Sequence, residues 1–150
     1  MFGKTGAEYA RFERWILILI VLVFALRLGM SLGGVPNVVT KWVSINLVLL
    51  VGLVYCGVAV HTARFGSYKH LYPLLLLQNG IAHWLIGMAI ILGIVTGKDN
   101  IFTAPEYFGG QDGKNWIHVF AHIVLVPPIL SLMAWLFASA ILFVTRKVRP

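Results

Sequence analysis

Residues 71–96 read LYPLLLLQNGIAHWLIGMAIILGIVT, 26 residues without one Asp, Glu, Lys or Arg. As a helix rising about 1.5 Å per residue, the stretch outreaches a hydrocarbon core about 30 Å thick. Lipid offers no partner to a free N–H or C=O, so a run of this kind satisfies its backbone internally, as a helix. Three further runs of spanning length flank it, at residues 15–34, 42–62 and 116–145. Together they predict an all-α fold: an integral membrane, multi-pass four-helix transmembrane bundle, one domain over residues 1–150. Residues 97–115 form the one outer loop of any size.

The bulk properties fit that reading. Hydrophobic residues make up 59% of the chain and charged residues 11%, which leaves no room for a soluble domain. The net charge of +7 is therefore not read as a nucleic-acid surface. Its basic residues cluster at the ends of the runs, where they anchor topology. Residues 1–14 read as a short amphipathic lead-in, not a cleaved signal. Cys56 is the single cysteine, which excludes an internal disulfide and a paired-thiol redox centre.

Four spans put both termini on one side. That side carries Lys4, Arg11, Arg14, Arg64, Lys69, Arg146, Lys147 and Arg149, against Lys41, Lys98 and Lys114 on the other. The bias places both termini in the cytoplasm, in a membrane of the bacterial inner type. Trp15, Trp42 and Trp116 fall at the span boundaries, as an aromatic belt requires. In the 97–115 loop, Ile101, Phe102, Tyr107 and Phe108 are too apolar for a free segment and are expected to fold back on the bundle mouth or meet a partner.

Polar groups within the spans carry the functional signal, because burying them in lipid is costly. Arg27 is the one cation deep in a run, and no Asp or Glu falls within any of the four. That pattern speaks against a carboxylate proton relay. Counting about 1.5 Å per residue from the run ends places Arg27, Asn46, His83, His118 and His122 in the outer half of the membrane. Asn79 lies one turn from His83, and His118 and His122 are likewise i, i+4 neighbours. These six residues form the expected cofactor-binding site. His61 and His70 read as interfacial. Pro127-Pro128 is expected to open the fourth helix just below His122, while Pro73 is placed in the first turn of the third.

The leading expectation is a small subunit of a larger membrane redox or respiratory-type complex, not an enzyme on its own. His83 and His122 would be axial ligands of a b-type haem, and Arg27 would serve a propionate. The thirteen-residue gap from His70 to His83 resembles the two-haem spacing within one helix of respiratory cytochromes b. The fourth helix lacks a matching pair, which leaves a single haem as the sharper form. The alternatives are a cofactor-free accessory subunit and a copper or zinc site on His83, His118 and His122. A lipid or quinone enzyme and a small-solute transporter rank below these. The expected partners are the bilayer and other membrane subunits or further copies of the chain, with no nucleic acid.

Overall fold

The computed structural model describes residues 1–107 and 109–148; Phe108 and Arg149, both used in the sequence reading, lie outside the described residues. A short helix α1 (Gly6–Phe12) leads in, capped by a reciprocal box. The Thr5 hydroxyl accepts from the Glu8 N–H, and the Glu8 carboxylate accepts from the Thr5 N–H at 2.7 Å. Next come α2 (Arg14–Leu32), the single turn α3 (Asn37–Thr40) and α4 (Ile45–Thr62), whose N-cap Ser44 accepts from the Leu47 N–H. The central helix α5 (Tyr68–Thr96) precedes a 3-10 turn at Pro105–Tyr107. The last run is α6 (Trp116–Phe120), a π-helical segment (Ala121–Leu125) and α7 (Val126–Val148). Four helical stretches are long and apolar enough to cross a membrane: Arg14–Leu32, Asn37–Thr62, Tyr68–Thr96 and Trp116–Val148.

Two sequence readings need correction here. Helix α5 starts earlier than residue 71, because the His70 ring Nδ1 accepts from the Ser67 N–H at 3.0 Å and caps an extra turn. Pro73 therefore lies in the helix interior, where its ring deletes the bond to the Lys69 carbonyl. His70 itself is buried within the protein. With Nδ1 accepting, Nε2–H donates to the Phe2 carbonyl at 3.2 Å, and the neutral ring pins the N-terminal segment to α5.

Helix α5 packs against α2, α4 and α7, and α4 also packs on α7. Two apolar clusters fill the bundle. Tyr9, Cys56, Val60, Leu74, Leu75 and Leu142 lie at the end bearing the termini. Ile20, Phe24, Ile45, Ala82, Ile90 and Phe102 lie at the end bearing the 97–115 loop. That loop is tied down over the helix ends. Ile101 and Phe102 are buried, and Phe102 stacks on Phe24 at 5.6 Å. The Asn100 amide donates to the Ala89 carbonyl at 2.8 Å and accepts from the Phe102 N–H at 2.9 Å. Tyr107 donates to the Asn37 carbonyl, and Asn37 donates to Glu106.

Candidate functional site

Three imidazoles meet below this loop. His83 sits midway along α5 and is buried; His122, in the π segment, and His118, on α6, are half-buried. The Nδ1 atoms of His83 and His122 stand 2.8 Å apart, a direct imidazole–imidazole hydrogen bond. The His118 ring packs edge-on against His122 with centroids 4.8 Å apart. His118 Nδ1–H donates to the Gly113 carbonyl of the loop at 2.8 Å. Local sequence explains the approach. A Cβ at Gly87, one turn beyond His83, would lie 2.8 Å from Ile123 Cγ1, so only glycine lets the π segment this close to α5. The wider π turn, a common device at functional sites, accommodates the two prolines that follow.

The bond between the rings fixes a tautomer. His83 Nε2 is buried and has no hydrogen-bond partner. An orphaned acceptor costs less than an orphaned N–H, so His83 donates from Nδ1 and keeps a bare lone pair on Nε2. His122 then accepts at Nδ1 and carries its proton on Nε2.

The remaining expected residues are placed elsewhere. The Arg27 guanidinium lies 5.1 Å from the Phe102 ring centroid, beneath the loop, and its Nε has no partner. Among the described residues, no hydrogen bond, ion pair or ring contact joins Arg27 to His83 or His122. Asn79 is buried and donates to the Leu75 carbonyl at 2.9 Å. Asn46 and Asn79 share an open groove of about 260 Å³ with Leu53, Met133 and Phe137, apart from the imidazoles. Among the described residues, no group of three or more His, Cys, Asp or Glu side chains is arranged to hold a metal ion.

A second polar cluster was not anticipated. Glu13, read as part of the lead-in, is only 1% exposed, as is Gln78. The Gln78 amide donates to Glu13 Oε2 at 2.5 Å, and the Cys56 thiol donates to the same oxygen at 3.7 Å. Glu13 Oε1 and Gln78 Oε1 are both buried without a partner. Burial pushes the Glu13 carboxyl up to about 8, with the bonds from Gln78 and Cys56 acting the other way. Two signals were available in the sequence: Gln78 is the one Gln inside a run, and Glu13 abuts the start of another. Between the clusters, Ser131 donates to the carbonyls of Leu75 and Pro127, at 3.2 and 2.6 Å.

No protein-family model, curated protein or solved structure matches the chain.

Proposed function

We propose that this chain is a small integral membrane subunit whose working site is the His83–His122–His118 cluster, and that the cluster transfers protons. The observation that carries the reading is the 2.8 Å Nδ1–Nδ1 bond between two imidazoles on facing elements. Two rings sharing one proton, one of them with a bare lone pair on its far side, have the arrangement a relay needs. A proton added to His83 Nε2 releases the His83 Nδ1 proton to His122 Nδ1. His122 then gives up its Nε2 proton. Each ring accepts one proton and loses one. The surroundings proposed for it are those of the sequence reading: an inner membrane of bacterial type, termini cytoplasmic, within a larger membrane assembly. The basic bias of the termini side supports the orientation.

A b-type haem held between His83 and His122 fits this arrangement poorly. Two ligands on one metal stand about 4 Å apart, twice a metal–imidazole distance of about 2 Å. Here the rings touch through Nδ1, leaving no space for a macrocycle between them.

One reconstitution tests the reading. In vesicles carrying a pH gradient, the wild type is expected to move protons, and His83→Ala and His122→Ala to slow this by about 100-fold, the scale of one positioned proton-transfer group. Equal flux in all three would overturn the relay. A Soret band in the purified protein, lost in both variants, would favour the haem reading.

A further inference from the structure

We propose that Glu13, Gln78 and Cys56 form a second proton-binding site, at the termini end of the bundle, in which the ligand is one proton carried on the Glu13 carboxyl. The inference is independent of the histidine relay and stands whether or not that relay conducts.

The pocket suits a neutral acid. Every bond to Glu13 comes from an uncharged donor, the Gln78 amide or the Cys56 thiol. The facing groups are few. From α1 come Tyr9, whose hydroxyl is spent on the Met1 carbonyl, and Arg11, which is exposed. From α2 comes Arg14, exposed and stacked on Trp15 at 4.9 Å. From α4 come Tyr55, bonded to the Phe12 carbonyl, and Cys56; from α5 comes Gln78. On α7, Arg146 stacks on Tyr68 and Lys147 on Phe143. Among the described residues no ion pair includes Glu13. An ionised carboxylate here would be a buried charge with two weak partners, a costly state. A proton on the carboxyl removes the charge while Oε2 keeps accepting from Gln78 and Cys56.

The same atoms argue against a metal cation. Two orphaned oxygens and a thiol fall far short of the roughly six oxygens that sodium-, calcium- or magnesium-like ions collect. The site is also built with no room to spare. A Cβ on Gly52 would lie 2.2 Å from Gln78 Oε1 and 2.9 Å from Ile16 Cγ2, so glycine at 52 makes the space the amide occupies. Helix α1 roofs the pocket through the Phe12–Phe65 stack at 4.0 Å and the Glu13 N–H bond to the Tyr9 carbonyl. Loss of the proton puts a charge under that roof, so release requires α1 to lift and admit water.

Infrared difference spectroscopy of the full chain in lipid tests the site. The chain has five Asp and Glu residues, and Glu13 is the buried one among them. At pH 6 the wild type is expected to show the carbonyl stretch of a protonated carboxylic acid, disappearing with a midpoint near pH 8. Glu13→Gln is expected to abolish the band. Gln78→Leu removes a donor to the ionised form and is expected to keep the band but move its midpoint higher. The second variant decides the matter if the first fails to fold. No band in the wild type, a band that survives Glu13→Gln, or an unmoved midpoint in Gln78→Leu would each overturn the proposal.

Discussion

At the scale of single residues, the buried amides and glycines do more than the charged groups. Asn100 is 2% exposed; its amide nitrogen ties the loop to the Ala89 carbonyl of α5, and its amide oxygen holds the Phe102 N–H within the loop. Asn100→Ala leaves the Phe102 N–H without its acceptor and the Ala89 carbonyl without that donor. Each buried polar group left unsatisfied costs about 1–3 kcal/mol. The expected result is a loss of that order in stability, with faster hydrogen exchange over residues 100–104 and unchanged exchange in α4. Uniform exchange across the chain would show that Asn100 is not the anchor. Gly52→Ala acts at the other end. Overpacking of this kind costs about 1–3 kcal/mol, and the displaced Gln78 can no longer reach Glu13. Lower thermal stability together with a higher Glu13 titration midpoint is the expected pair of results; a wild-type midpoint would mean that Gln78 had kept its place.

At the scale of elements, the π segment sets the register of the site. It stands between α6, which carries His118, and α7, which packs on α4 and α5. A π turn holds about one residue more than an α turn, so deleting one residue there restores a continuous α-helix. Val124 is exposed and contributes nothing to either apolar cluster. Its deletion removes the bulge, so α6 and α7 keep their faces while His122, inside the segment, loses the direction the π turn gives it. The expected outcome is unchanged helical content by circular dichroism with proton flux reduced to the level of His122→Ala. Full flux in the deletion variant would show that the His83–His122 bond survives without the π turn. The sequence made part of this legible: Pro127-Pro128 marked the interruption, and the similar depths of His83 and His122, a few ångströms apart, paired them. It did not show that the interruption would take the form of a π turn, nor that Gly87 would admit it. Both depend on how α5 meets the last run.

At the scale of the whole molecule, run length and apolarity made the four long helices legible, because lipid leaves a polar backbone few options. Burial of short segments was not legible. Glu13 looked like a solvated lead-in charge because its surroundings, Tyr9 on α1, Cys56 on α4 and Gln78 on α5, come from distant parts of the chain. Arg27 looked like a partner for the histidines because depth along a helix was the only coordinate available, and depth says nothing about which face a residue occupies. The buried carboxyl gives the molecule a pH dependence with a definite sign. In the folded chain Glu13 holds its proton up to about pH 8; in the unfolded chain it releases it near 4.5. Between those values the folded state binds one more proton than the unfolded state, so stability falls as pH rises through the window. The slope from one group is at most about 1.4 kcal/mol per pH unit. Below pH 4.5 both states are protonated, and the slope from this residue vanishes. Glu13→Gln carries no titrating group at the position, so the melting temperature of the wild type in detergent is expected to fall relative to that of the variant as pH rises from 5 to 8. The two curves should meet at the acid end and separate steadily towards pH 8. Parallel curves would mean that Glu13 is ionised in the folded chain throughout this range.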